Sequence, residues 1–168
     1  MVRDVVGTLA RLGLAAVWLV SGALKAADPE QTYLAVSAFD VLPPALVGPV
    51  AAALPFLELA LGVLLLVGFG VRQVAVVSAI LLAAFTAGVA QAWARGLSID
   101  CGCFGGGGPV DAGQTRYPQE LARDLAFLAL AAWLLVRPRT LLAVDTPLGI
   151  RRPVVVADGT GRIAEDGG

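Results

Sequence analysis

Four long apolar stretches divide this sequence, and they restrict its fold more than any other feature. They cover residues 5–24, 46–69, 73–94 and 120–136. A helix needs about 20 apolar residues to cross the hydrocarbon core of a bilayer. Residues of the AVILMFWYC set make up 58% of the chain and charged residues only 15%, which is far from the composition of a soluble domain. The sequence therefore predicts an all-α integral membrane protein, with a four-transmembrane-helix bundle over residues 1–136.

Each end of the chain allows more than one interpretation. Arg3 and Arg11 precede or interrupt the apolar run that ends at Leu24, so a cleaved signal peptide is the alternative to a first span. Cleavage would leave the bundle with three helices, and this counts against a signal peptide and favours a first span. Residues 137–168 are predicted to be a short polar tail on the cytoplasmic side, either flexible or folded into a small hairpin around Asp158.

Composition and charge exclude several classes of function. The net charge is −1 and no basic cluster occurs, so we expect no nucleic-acid partner and a surrounding of membrane lipid. The chain has no histidine and two cysteines, and one copy therefore cannot build a closed four-ligand zinc site. We expect no metal cofactor. The sequence does not determine the oligomeric state.

Basic residues predict the orientation, because they concentrate on the cytoplasmic side of a membrane. Counted near the ends of the predicted spans, with a cytoplasmic N-terminus, seven basic residues lie inside and four outside. The inner set is Arg3, Arg11, Arg72, Arg137, Arg139, Arg151 and Arg152, and the outer set is Lys25, Arg95, Arg116 and Arg123. We therefore expect a multi-pass protein of the cell membrane with both termini cytoplasmic and the segment between the third and fourth spans extracytoplasmic.

That extracytoplasmic segment contains both cysteines, Cys101 and Cys103, separated by Gly102 and followed by more glycines. Thiols outside the cytoplasm tend to be oxidised. A disulfide across so short a loop would stabilise the fold by only about 1.6 kcal/mol, so a purely structural bond explains the pair poorly. A strained or exposed disulfide exchanges readily with an incoming thiolate. Thiol–disulfide exchange is the favoured interpretation, and a structural bond, two inert thiols or a soft-metal site such as Cu(I) are the alternatives.

Charged side chains within the predicted spans form a second candidate site. Glu58 lies deep in the second span, where an unpaired carboxylate is costly. Its candidate partners are Lys25, Arg123 and Asp124, which lie near the outer ends of the first and fourth spans. The group is either a polar clasp that fixes helix register or a proton-handling site beneath the cysteine loop, because thiol–disulfide chemistry moves protons. The sequence leaves both open.

Four short motifs occur in a fixed order along the bundle. They are SGALKAADP after the first span, PFLELALGVLLLVG in the second, CGCFG after the third and RD in the fourth. Together they resemble the MauE family of the DoxX-like membrane proteins, over residues 11–136, and CGCFG is the specific part. By this resemblance the motif residues are Cys101, Gly102, Cys103, Phe104 and Gly105, and the matching polar positions in the bundle are Glu58, Lys25, Arg123 and Asp124.

The resemblance implies a four-helix membrane protein that works beside a thioredoxin-like partner. In the methylamine utilisation system that gives the family its name, this pair is required for maturation of the disulfide-rich small subunit of methylamine dehydrogenase. Many relatives look like general redox-associated membrane proteins, so the client protein does not carry over to this chain.

Two functions remain as hypotheses. In the first, the chain is a thiol–disulfide oxidoreductase that relays electrons between Cys101, Cys103 and an extracytoplasmic thioredoxin-fold protein. A membrane quinone could exchange electrons with this relay, but the sequence establishes no cofactor. The sequence offers no cation near the thiols other than Arg95, and Asp100 beside Cys101 disfavours its thiolate. In the second, the chain is a non-catalytic scaffold that docks or stabilises a redox partner.

A small-molecule transporter is a weaker third hypothesis, since the chain shows no inverted repeat. The client protein, the direction of electron flow and the cysteine that attacks are not determined by the sequence.

Overall fold

The computed structural model describes residues 2–102, 104, 106–111, 113–138, 140 and 143. Its helices are α1 (Val2–Ala27), α2 (Pro29–Ala38), α3 (Pro44–Val67), α4 (Val71–Ala94) and α5 (Tyr117–Val136), with β1 (Ile99–Asp100) and β2 (Gly108–Pro109) between α4 and α5. This mostly helical architecture agrees with the predicted all-α class. Cys103, Gly105 and the predicted tail hairpin around Asp158 lie outside the described residues.

Among the described residues, three helices have the length and apolar composition needed to cross a membrane. These segments are Asp4–Ala27, Pro44–Val67 and Val71–Ala94, close to the first three predicted spans. The predicted fourth span is also a helix, α5, of 20 residues. Its first turns carry Glu120, Arg123 and Asp124, so any stretch of this helix long enough to span a membrane includes all three charges. The prediction of a helix there is right, but four spans are not confirmed.

Two glycines allow α1 and α3 to pack closely. A Cβ atom added at Gly22 would lie 2.9 Å from the carbonyl oxygen of Pro55, and one at Gly62 would lie 2.7 Å from Cγ of Leu19. Small residues at such contacts let two helix backbones approach each other in a membrane. The helix α3 continues through both of its internal prolines, Pro49 and Pro55.

A tight turn between α3 and α4 reverses the chain. Gly68 and Gly70 adopt φ angles of +76° and +59°, in the left-handed region that favours glycine. Arg11 is buried at 3% exposure, and its guanidinium lies so close to Gly68 that a Cβ there would be 1.9 Å from Nη1. A cation suits this position because the C-terminal end of a helix is negative. The helix α5 packs along α4 and α1 and completes the bundle.

The short helix α2 was not predicted from the sequence. It begins after Asp28, whose Oδ1 accepts a hydrogen bond from the amide of Gln31 at 3.0 Å, and Pro29 occupies its first turn. Both are favourable residues at a helix start. The hydroxyl of Thr32 donates to the carbonyl oxygen of Lys25 at 3.0 Å. These contacts hold α2 against the last turn of α1.

The connections at one end of the bundle contact one another. The side-chain amide of Gln31 in α2 donates to the carbonyl oxygen of Gly107 beside β2. Gln91 near the end of α4 donates to the carbonyl oxygen of Phe39 at 3.0 Å. We call this end, which contains α2 and the β1–β2 hairpin, the hairpin end. The cysteine segment and the start of α2 at Asp28 therefore lie at the same end.

Candidate functional site

The cysteine motif lies on the hairpin between α4 and α5. The strands β1 and β2 pair antiparallel, with Asp100 opposite Gly108. The buried side chain of Tyr117, in the first turn of α5, binds this hairpin: its hydroxyl donates to the carbonyl oxygen of Leu97 at 2.6 Å and accepts from the amide of Ile99 at 3.3 Å. The hairpin is therefore fixed over the start of α5.

Cys101 directly follows β1, and its sulfur contacts α5. Nη2 of Arg123 donates to Sγ of Cys101 at 3.4 Å. The next residue, Gly102, has φ +66°, and its amide donates to Oδ1 of Asp100 at 2.8 Å. This turn keeps Cys101 in a nearly buried position, at 8% exposure, with a guanidinium against its sulfur.

Two further contacts hold the side chain of Arg123 in place. Its Nε donates to Oδ1 of Asp124 at 3.5 Å, and its guanidinium carbon lies 5.0 Å from the centre of the Phe104 ring. That ring in turn meets Phe127 edge-on, with centroids 6.2 Å apart. A cation over an aromatic face is attracted by the ring quadrupole. The motif residue Phe104 thus helps to orient the cation that contacts Cys101.

The sequence offered no cation near the thiols other than Arg95, and this was wrong, because Arg123 contacts the sulfur and Arg95 lies elsewhere. Its Nη2 lies 2.8 Å from Oδ2 of Asp40, and its Nη1 donates to the carbonyl oxygen of the same residue at 3.2 Å. Arg123 takes the position beside the sulfur because the hairpin folds back over the first turns of α5.

Glu120 is a member of this site that the sequence analysis missed. It is buried at 7% exposure, and the amide of Cys101 donates a hydrogen bond to its carboxylate. Burial raises the pKa of the Glu120 carboxyl above its ordinary value, and the negative charge of Asp100 raises it further, against smaller opposing effects that include Arg123. A signal was present, because residues three apart share a helix face and Glu120 precedes Arg123 by three.

The donor atoms of Asp100, Cys101 and Glu120 all lie within 4.8 Å of one another. Such a group could be considered as a set of metal ligands. However, the guanidinium of Arg123, itself a cation, already contacts the sulfur at 3.4 Å. A metal ion would have to displace it or share the sulfur with it. The charges therefore suit a thiol beside a cation better than a metal centre.

Helix α2 closes over the cysteine turn. A Cβ atom at Gly102 would lie 3.0 Å from Cβ of Ala35, and one at Gly107 would lie 2.7 Å from the same atom. Ala38 and Phe39, at the end of α2, pack on the apolar cluster that includes Cys101. Glycine at these positions allows the contact, which shields the cysteine from solvent.

The second predicted site forms inside the bundle. Nζ of Lys25 lies 3.0 Å from each carboxylate oxygen of Glu58 and 2.5 Å from Oγ of Ser21. The other two candidate partners, Arg123 and Asp124, pair with each other beside the cysteine loop. The predicted polar residues therefore belong to two separate groups.

Comparison with known proteins gives a match over most of the chain. The family described as methylamine utilisation protein MauE matches residues 3–137, which include the bundle and the cysteine hairpin. No curated protein and no solved structure matches the chain. With its membrane-spanning helices and this match, the chain belongs to the MauE family of multi-pass membrane proteins linked to methylamine utilisation.

Proposed function

We propose that this protein is a membrane thiol–disulfide relay that acts through Cys101 and Cys103. One observation carries the proposal: the guanidinium of Arg123 lies 3.4 Å from the sulfur of Cys101. The thiolate is the nucleophile in disulfide exchange, and a neighbouring cation stabilises it. A cysteine that served only for packing would need no cation held against it.

The exchange conserves atoms and electrons. The thiolate of Cys101 attacks a disulfide of the partner, a mixed disulfide forms, and the second partner sulfur leaves as a thiolate that takes up a proton. Cys103, having lost its own proton, then attacks Sγ of Cys101, which gives a Cys101–Cys103 disulfide and a partner dithiol. Two electrons pass from the chain to the partner, and the reverse sequence returns them. The relative reduction potentials set the direction.

The partner in this proposal is an extracytoplasmic thioredoxin-fold protein. The sequence count of basic residues near the span ends, seven on the side of the termini and four on the side of the cysteine segment, supports an extracytoplasmic hairpin end, because basic residues concentrate in the cytoplasm. The family's link to methylamine utilisation makes a disulfide-rich protein of the methylamine dehydrogenase type the first client to test. The acidic residues Asp28, Glu30 and Asp40 lie at the same end as the cysteine hairpin.

We also propose that α5 is a fourth span. After Asp124 the helix carries no charged residue up to Val136, and it packs along α4 and α1. Its first turns, with Glu120 and Arg123, then lie at the hairpin end in the lipid headgroup region. Both termini of the bundle would face the cytoplasm.

One observation favours the alternative function, a non-catalytic scaffold for a redox partner. Cys101 is only 8% exposed and lies beneath α2. If α2 never moves away, the hairpin end acts as a contact surface and the thiols are dispensable.

Trapping in intact cells separates the two functions. The Cys103→Ser variant should accumulate a mixed disulfide between Cys101 and a thioredoxin-fold protein, which mass spectrometry would identify. The Cys101→Ser, Cys103→Ser double variant is the matched control and should form none. In the wild type, a membrane-impermeant maleimide should label the thiols to an extent that changes reversibly with added reductant. Permanently reduced thiols, together with full client maturation in the double variant, would establish the scaffold instead.

A further inference from the structure

We infer that Glu120 accepts the proton of the Cys101 thiol during exchange and is therefore a catalytic residue of the cysteine site. This inference rests on the proposed function and deepens it. Nothing in the motif CGCFG indicates Glu120, which lies in the first turn of α5.

The carboxylate of Glu120 is incompletely bonded. The amide of Cys101 donates to it, but Oε2 is buried without a hydrogen-bond partner among the described residues. An unsatisfied buried polar atom is costly, and a proton taken from a neighbouring group would satisfy it. The thiol of Cys101 is such a group, since its sulfur lies within 4.8 Å of a Glu120 carboxylate oxygen. A single water or a small movement closes that distance.

The surrounding charges favour transfer in this direction. On the hairpin, Asp100 repels a negative charge on Glu120, and on α5 the nearby charges are Arg123 and Asp124. From α4, Val89 and Ala92 pack in the apolar cluster that contains Cys101, and from the end of α2, Ala38 and Phe39 pack on it. The raised pKa of Glu120 makes its carboxylate a stronger base than an exposed glutamate.

The proposed step moves one proton and keeps the net charge of the site constant. The proton leaves Sγ of Cys101 for a carboxylate oxygen of Glu120 as the sulfur attacks the partner's disulfide. The negative charge thereby passes from the carboxylate to the sulfur, where Arg123 donates its hydrogen bond. The protonated Glu120 then returns its proton to the thiolate that leaves.

The test measures how exchange at Cys101 depends on pH. The background is the full-length Cys103→Ser protein in detergent, in which Cys101 is the single thiol. The probe is the small disulfide 2,2′-dithiodipyridine, whose reaction with Cys101 forms a mixed disulfide and releases pyridinethione. Glu120→Gln retains a carbonyl oxygen that can accept the hydrogen bond from the Cys101 amide, but it cannot take the proton. Glu30→Gln, at an exposed position of α2, is the control for loss of one acidic residue at this end.

Near pH 6 the Glu120→Gln protein should react at least about tenfold more slowly than its parent, since a positioned base typically contributes 10²–10⁴-fold. Above the ordinary thiol pKa of about 8.5 the two rates should converge, because the thiol then ionises without a base. Glu30→Gln should follow the parent at every pH, and Glu120→Asp should recover part of the lost rate.

A profile of Glu120→Gln that coincides with the parent, or that is lower by the same factor at every pH, would overturn the inference, because a structural role produces no pH dependence. This result is independent of the trapping experiment. A protein that traps no partner in cells would refute the proposed relay, while the pH profile on the small disulfide would still decide the role of Glu120.

Discussion

The ammonium group of Lys25 lies 3.0 Å from each carboxylate oxygen of Glu58 and joins α1 to α3 inside the bundle. The side chains are 8% and 0% exposed, and Oγ of Ser21 accepts a further hydrogen bond from the ammonium. A buried ion pair of this kind need not add stability over an apolar pair of similar volume, but breaking it leaves one buried charge uncompensated. The geometry supports the clasp interpretation of these residues.

We therefore predict that Lys25→Met and Glu58→Leu each destabilise the bundle by about 3–5 kcal/mol. The double variant should recover most of that loss, because neither charge then remains buried. Unfolding of the purified protein in detergent measures all three variants and gives the coupling between the two positions. Additive losses in the double variant would show that the two residues do not act as a pair.

The second prediction concerns the close contact of Gly22 in α1 with Pro55 and Leu59 in α3. Gly22→Ala places a methyl group 2.9 Å from both Cγ of Leu59 and the carbonyl oxygen of Pro55, so the helices must separate at a cost of about 1–3 kcal/mol. Gly48→Ala is the matched control, since a Cβ at Gly48 meets nothing within 4 Å. Detergent unfolding should show a clear loss for Gly22→Ala and little change for Gly48→Ala. Equal stability of the two variants would mean that α1 and α3 do not pack as described.

The helices of the bundle could be predicted from the sequence because membrane span length and apolar composition are local properties. A partner for Glu58 was also expected, since a carboxylate buried in a span needs one, but the sequence offered Lys25, Arg123 and Asp124 without choosing among them. The predicted fourth helix carries three charged residues in its first turns, Glu120, Arg123 and Asp124. Those charges belong to the cysteine site.

The surroundings of Cys101 could not be predicted, because they depend on how separate segments meet. Helix α2 has little periodic apolar pattern, and its formation depends on the Asp28 cap and on packing against α3 and the hairpin. The fold of the hairpin over α5 brings Glu120 and Arg123 to a cysteine about 20 positions earlier in the chain. For the same reason Arg95, near Cys101 in sequence, contacts Asp40 instead.

The third prediction concerns the cation at the sulfur. In the Cys103→Ser background, Arg123→Gln should slow alkylation of Cys101 by iodoacetamide near neutral pH. The loss should be about tenfold, because a hydrogen bond to a charged group contributes about 1.5–3 kcal/mol and about 1.4 kcal/mol corresponds to a factor of ten. Arg116→Gln removes the same charge from an exposed position just before α5 and should change the rate far less. If both variants slow the reaction equally, the effect is a general one of net charge and not of the contact with Cys101.

The last prediction tests whether α2 shields the cysteine. Gly102→Ala and Gly106→Ala both place alanine at a positive φ, +66° and +74°, and both therefore introduce strain of about 1–2 kcal/mol. At Gly102 the new methyl group would also lie 2.9 Å from the carbonyl oxygen of Gly106 and 3.0 Å from Cβ of Ala35 in α2, whereas at Gly106 it would meet nothing within 4 Å. Gly102→Ala should therefore separate α2 from the cysteine turn and speed alkylation of Cys101 in the Cys103→Ser background. Gly106→Ala should give a rate close to the parent, since its strain acts without contact with α2. Equal rates for the two variants would show that access to Cys101 does not depend on the packing of α2 against this turn.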